Sequence, residues 1–287
     1  RKKEGYGPSE VSFKKLIDNG VKLIFTVDCG TLSFEAIEYA FRNKIDVIVL
    51  DHHQSEIKLP KAYSIVNPNR IDDNSDLKYL CAAGVTFMFL ISLNRELRSV
   101  NWFIQSRITE PNLLEYLDLV TLGTICDVVP LIGLNRAIVY QGLKILRSKK
   151  NLGLKTLFDI CDVQSQPNVY HIGYLLGPRI NAGGRVGKSS HGANLLISKN
   201  PKDVFRIASE LDKFNKERQI LEKEVLDKIL IELGNKINDS LIIINGKNWH
   251  EGVIGIVASR IKDKLNKPVI IISVDENGIG KASARSI

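Results

Sequence analysis

Two apolar segments separated by an amphipathic one constrain this chain more than any other feature. Residues 21–27 are mostly apolar and β-branched and run into Asp28, 33–43 carry their apolar residues at helical spacing, and 46–50 are apolar again, ending at Asp51. Short β-branched runs flanking a helical period read as a βαβ unit. Its right-handed crossover makes the two strands parallel, so their C-terminal ends share one edge of a sheet. Asp28 and the triplet Asp51, His52, His53 fall on that edge, where open α/β sheets bind ligands.

The alternation then lapses and returns. Residues 60–76, rich in Asn, Asp and Pro, read as a surface loop; helical periods follow over 82–95, 112–125 and 135–149, with Asp127 just past the second and before Pro130. Residues 151–190 are less regular and hold a dense Gly/Pro/Arg cluster that reads as a turn, whereas 201–234 reads as one long charged helix. Strand 241–245, helix 252–266, strand 268–273, a turn at 278–280 and a strand from Lys281 form a second α/β alternation. With 287 residues and 44% hydrophobic composition there is material for two cores. The expected organisation is α/β: a parallel-sheet domain over 1–150, a helical segment over 151–235 with the Gly/Arg-rich turn, and a smaller α/β domain over 236–287.

Composition narrows the function. The longest apolar stretches, 253–256 and 269–272, are far shorter than the roughly 20 residues that span a bilayer. No apolar segment follows the opening Arg1, Lys2 and Lys3, so neither a membrane span nor a secretory signal is expected, and the start without Met reads as a truncation. Cys29, Cys81, Cys126 and Cys161 are widely spaced, which suggests buried thiols in a reducing, cytoplasmic compartment and argues against structural zinc. A net charge of +8 suits a polyanionic ligand, although a Lys-, Asn- and Ile-rich composition from an A/T-rich genome produces the same excess.

Asp28, His52 and Asp127 are hard oxygen and imidazole donors, each just past the end of an element, a set that suits Mn or Mg. A single strand-end Asp is more often a turn former or helix cap. Two imidazoles after a buried strand, preceded by an acid, are a rarer ending.

The ordered series of motifs resembles a known family. Val27-Asp28-Cys29-Gly30 resembles the second motif of the DHH phosphoesterases, Asp51-His52-His53 the motif that names them, and residues 123–130, from Gly123 through Asp127 to Pro130, the fourth. Residues 177–185, 249–260 and Ser283-Ala284-Arg285-Ser286 are similar to signatures of the RecJ-type exonucleases, so the resemblance spans nearly the whole chain. It implies a DHH domain followed by a DHHA1 domain. It further implies that Asp28 bridges two divalent ions, Mn2+ or Mg2+, that His52 and Asp127 complete one of the two sites, and that His53 faces the scissile phosphate. An alternative for His53 is an outer role, donating to a carboxylate; Asp51 is expected to orient the His pair. The family's first motif, an Asp-rich strand end, is expected upstream of Arg1, leaving this polypeptide with half of the dinuclear site and weak cleavage by itself. The implied activity is 5′ to 3′ hydrolysis of single-stranded DNA in repair and recombination by a monomer, with a single-strand-binding protein and a helicase as partners. Competing readings are a sibling hydrolase of short oligonucleotides or cyclic dinucleotides, and an inactive DNA-binding scaffold.

The remaining candidates are substrate contacts. Arg179 and Arg185 flank the Gly-rich turn with Asn181 inside it, placed for DNA phosphate or, alternatively, for acids of the fold. His250 precedes a helix, where it would meet an anion or simply cap. Ser283 and Arg285 alternate onto one strand face, with Ser286 beside them, as a phosphate clamp. The run from Lys213 to Glu224 reads as a solvated helix face with i,i+4 pairs.

Overall fold

The computed structural model describes residues 7–234 and 238–287; the Arg1, Lys2, Lys3 opening and the expected boundary at 235/236 lie outside them. Contacts divide the chain into two compact units, 1–150 with 165–173, and 151–164 with 174–287.

The first unit opens with α1 (Glu10–Asp18), started by a reciprocal capping box between Ser9 and Ser12. Then come β1 (Leu23–Val27), α2 (Phe34–Arg42), β2 (Asp46–Leu50) and β3 (Ser64–Val66). The sheet order is β1-β2-β3, parallel throughout, with Val27 opposite Leu50 and Leu50 opposite Val66. One face of β1 and β2 buries Ile24, Val47 and Val49 against Ala36, Ile37 and Ala40 of α2. The expectation of a plain loop over 60–76 is corrected by β3: three residues between prolines are too few to show a strand period, yet they close the site edge. Helices α3 (Ala82–Ser99), α4 (Trp102–Ser106), α5 (Leu117–Cys126) and α6 (Gly133–Arg147) follow, and Phe87 of α3, Leu117 and Val120 of α5 and Ile138 of α6 form one buried cluster. Helices α5 and α6 touch through Gly142, where an added Cβ would stand 1.8 Å from Thr121 Oγ1 and 2.3 Å from the Leu117 carbonyl.

The second unit holds α7 (Leu152–Ile160), α8 (Gly177–Val186), α9 (His191–Ile197), α10 (Pro201–Leu233), β4 (Ile242–Lys247), α11 (Glu251–Leu265), β5 (Val269–Val274) and β6 (Gly280–Arg285). Strand β5 pairs parallel with β4 and antiparallel with β6. Its core joins Val225 and Ile229 of α10, Val253 and Val257 of α11, and Ile242 and Ile271 of the sheet.

Three expectations fail here. The Gly/Pro/Arg cluster is not a turn but helix α8, which follows a π-helical turn at His171–Leu176. Pro178 sits in the first turn, where its missing N–H costs nothing, and Gly183 allows close packing, since a Cβ there would be 2.8 Å from the Lys188 carbonyl. The charged run on α10 is not all solvated: Arg218 and Glu222 are buried, with Arg218 Nη1 donating to Glu222 Oε2 at 2.6 Å. Of the four thiols, all free, only Cys81 is buried; the other three are half-buried. No described helix is long and apolar enough to cross a membrane.

Candidate metal centre

Parallel register brings the site together. Asp28, Asp51 and Asn67 each stand one residue past a strand end, and the sheet ladder continues through them: Asp28 N–H donates to the Leu50 carbonyl at 3.0 Å and Asp51 N–H to the Val66 carbonyl at 3.1 Å. Gly30, at φ +118, keeps the loop after Asp28 tight, because a Cβ there would be 2.4 Å from Thr26 Oγ1. Asp127 arrives from the C-cap of α5. His52 Nε2 lies 3.2 Å from Asp28 Oδ1 and 3.4 Å from Asp127 Oδ2. One ring nitrogen of His53 joins donor atoms of Asp28 and His52 within 4.8 Å of one another. The His52 side chain is 14% exposed whereas those of Asp28 and Asp127 are 58% and 40% exposed, so the group is closed on the imidazole side and open to solvent on the carboxylate side.

Asp51 organises both histidines. Its Oδ1 accepts from the His52 N–H at 2.8 Å, the His53 N–H at 3.3 Å and His53 Nδ1 at 2.7 Å, and its Oδ2 from the Thr31 N–H at 3.0 Å. Burial pushes its pKa up, but hydrogen bonds from His53, Thr31 and the backbone outweigh that and hold it at about 2. A carboxylate charged at all working pH values favours the His53 tautomer with its proton on Nδ1, which leaves a lone pair on Nε2. The hydrogen bond to Asp28, helped by the charge of Asp127 and opposed by burial, raises the pKa of His52. Burial chiefly, with the like charge of Asp28, raises that of Asp127.

These donors fit a hard divalent cation. Neighbouring ligands of an octahedral ion with bonds of 2.0–2.1 Å lie about 3 Å apart, close to the 3.2 and 3.4 Å separations around His52 Nε2. The negative charge of Asp28 and Asp127 that raises the His52 pKa would equally attract a cation, which has to displace that proton to bind His52. Burial raises the Cys29 pKa and lifts that of Cys126 to about 11, so without a cation beside them both are neutral thiols.

Sequence reasoning missed the carboxamides behind the histidines. Asn67 Nδ2 donates to the His53 carbonyl at 2.8 Å and to Thr31 Oγ1 at 2.9 Å; Asn69 Nδ2 donates to the His52 carbonyl at 2.6 Å. Asn in a Pro-rich loop looks like an ordinary turn former. The available signal was register, since a third parallel strand ending at Val66 puts Asn67 level with Asp28 and Asp51.

Substrate candidates in the second unit separate into four groups. Arg179 is committed to the fold: Nε donates to Asp212 Oδ1 at 2.9 Å and Nη1 to the Leu175 carbonyl at 2.9 Å. Arg185 Nη1 reaches the Gly252 carbonyl at 3.1 Å, beside His250, whose Nδ1 caps α11 by accepting from the Gly252 N–H at 3.1 Å. Ser283 and Arg285 do share a face of β6, with Arg285 Nη1 donating to Ser283 Oγ at 3.2 Å and Nε to Ser259 Oγ of α11 at 3.0 Å. Asn181 on α8 and Ser286 past β6 are exposed, apart from these contacts.

Comparison with known proteins agrees with this layout. The DHH family N-terminal domain matches residues 3–124 and the DHHA1 domain residues 219–287. The single-stranded-DNA-specific exonuclease RecJ of Escherichia coli K12 is 38% identical over 294 residues, covering all of this chain and 51% of its own length. The chain thus spans about half the length of the curated relatives it matches. A crystal structure of exonuclease RecJ bound to manganese superposes with a TM-score of 0.84 at 31% identity, covering 100% of this chain and 68% of that one. RecJ of Thermus thermophilus in complex with Mg2+ gives a TM-score of 0.68 at 28% identity, covering 97% of this chain and 39% of that one. By both domain matches and by the shared fold, this chain belongs to the RecJ family of DHH/DHHA1 proteins.

Proposed function

We propose that this chain hydrolyses phosphodiester bonds of single-stranded DNA as an exonuclease, proceeding 5′ to 3′, with Mn2+ or Mg2+ held by Asp28, His52 and Asp127. The observation that carries this reading is the convergence of three hard donors from separate elements on one open sheet edge, at 3.2 and 3.4 Å from His52 Nε2. Relatives named as single-stranded-DNA-specific exonucleases and RecJ structures with Mn2+ or Mg2+ support it. Divalent cations at such a site stabilise phosphate charge and lower the pKa of water. Asp28 and Asp127 would supply the negative charge that holds such ions. His52 contributes once it has released its proton. His53, whose Nδ1 is held by Asp51, faces the scissile phosphate.

Arg185, His250, Ser283, Arg285, Asn181 and Ser286 are the proposed contacts to the DNA backbone, while Arg179 acts through α8 by way of Asp212. Such work places the protein in cytoplasmic repair and recombination, as a monomer supplied with strands by a helicase and a single-strand-binding protein. The test is digestion of a 30-mer single strand labelled at either end, beside a duplex and a dinucleotide, with Mn2+, Mg2+ or EDTA. Weak but metal-dependent loss of the 5′ label from the single strand, abolished in Asp127→Asn, is expected. Cleavage of the dinucleotide alone points to a short-oligonucleotide hydrolase, and binding without cleavage to a scaffold; either result overturns the proposal.

A further inference from the structure

The two sides of the metal centre are fastened to two adjacent main-chain carbonyls, those of Lys78 and Tyr79. On one side Asn69 Nδ2 donates to the His52 carbonyl at 2.6 Å and to the Lys78 carbonyl at 3.2 Å. On the other, Asn135 Nδ2 donates to the Tyr79 carbonyl at 2.7 Å and to the Pro130 carbonyl at 3.0 Å, within the segment that follows Asp127. Helix α6, whose N-cap Ile132 has no polar side chain to offer, is capped instead by Tyr79, whose Oη accepts from the Leu134 N–H at 3.2 Å. Gly133, at φ +45, makes room for that phenol, since a Cβ there would be 2.5 Å from Tyr79 Oη. Asn135 is fully buried, and its Oδ1 has no partner among the described residues, a cost that a residue chosen for packing alone would not carry.

We infer that Asn69, Tyr79 and Asn135 are positioning residues of the metal centre: in series they set the distance between His52 and Asp127, and so the affinity of the site for a divalent cation. The inference rests on the proposed metal-dependent function. No one of the three touches the donor atoms; each holds a main-chain carbonyl or amide of a segment bearing a donor or adjoining one. Because the links act in series, breaking either releases the gap, and breaking both releases little more.

Mn2+ binding to the 287-residue chain, measured by the electron paramagnetic resonance of free Mn2+, tests this. Asn69→Ala and Asn135→Ala should each weaken binding by about ten-fold, and the double variant should stay near either single value instead of multiplying to about a hundred-fold. Should Asn135→Ala not fold, Tyr79→Phe takes its place, and thermal midpoints separate loss of fold from loss of affinity. Affinity within about two-fold of the unmodified chain for Asn69→Ala, or effects that multiply, overturns the inference while Asp127→Asn still weakens binding. Absence of saturable Mn2+ binding by the unmodified chain, or binding indifferent to Asp127→Asn, overturns the proposed metal centre and this inference with it.

Discussion

Replacing Asp51 by Asn preserves the shape of the side chain while removing its charge and one of its two acceptors. Four donors converge on it in a site that is 1% exposed: the amides of Thr31, His52 and His53 and the His53 ring. In either orientation the Asn amide turns its NH2 toward an N–H donor, leaving buried groups unsatisfied at a cost of about 1–3 kcal/mol. The charge itself is worth a comparable amount. Folding lowers the Asp51 pKa from 3.8 to about 2, which at about 1.4 kcal/mol per pH unit corresponds to about 2 kcal/mol. A lowered carboxyl pKa stabilises the fold above its unfolded value and loses that contribution as pH falls; about half is gone by pH 3 and nearly all below pH 2. Peptide-resolved hydrogen exchange over 23–33 and 46–54 reads the loss where it arises. At pH 7, Asp51→Asn should speed exchange there by about a hundred-fold, equivalent to about 3 kcal/mol, and the difference from the unmodified chain should narrow toward pH 3. A change under about five-fold at pH 7, or a difference that does not narrow in acid, would refute the claim that this carboxylate organises the sheet edge.

Further consequences follow from other contacts. Mn2+ must displace the His52 proton, whose pKa is raised above 6.5, so affinity should climb as pH rises from below 6.5 through the raised value, with proton release visible by calorimetry in buffers of different ionisation enthalpy; a flat profile counts against His52 as a ligand. In the metal-free chain the same raised pKa stabilises the fold below pH 6.5 and loses that stabilisation as pH rises through the folded value. Glu222→Gln removes the charge opposite buried Arg218, which keeps its hydrogen bonds to Asn215 Oδ1, and weakens the 2.6 Å pairing with Arg260; it should lower the stability of the second unit by about 3 kcal/mol in urea unfolding. Gly142→Ala, which would add about 1 kcal/mol in an exposed helix, should instead cost about 3 kcal/mol by forcing α5 and α6 apart; an unchanged thermal midpoint would contradict the 1.8 Å approach to Thr121.

How much could be read in advance depended on whether a feature has a period. Strands β1 and β2 and helix α2 were visible because apolar spacing changes from strand-like to helical and back, and their parallel pairing put Asp28 and Asp51 on one edge. Strand β3 was hidden, since three residues carry no period and their Asn and Pro flanks imitate a turn. Helix α8 was hidden for a related reason: glycine and proline are read as breakers, whereas here proline occupies a first turn and Gly183 a packing contact. Arg218 and Glu222 show the limit of charge pattern, because an i,i+4 pair looks the same in sequence on a wet face or in a core. Asp127 could be tied to His52 only through the order of the family motifs. Local spacing says nothing about which helix end returns to a sheet edge, and the positioning carboxamides of Asn69 and Asn135 depend on that return.

The most direct measurement is a crystal structure of the chain grown with Mn2+, with the ion located by anomalous scattering. An anomalous peak within about 2.0–2.3 Å of Asp28, His52 Nε2 and Asp127 carboxylate or imidazole atoms is the expected result. Full Mn2+ saturation in solution with a peak elsewhere, or with Asp127 turned away from the ion, would contradict the account.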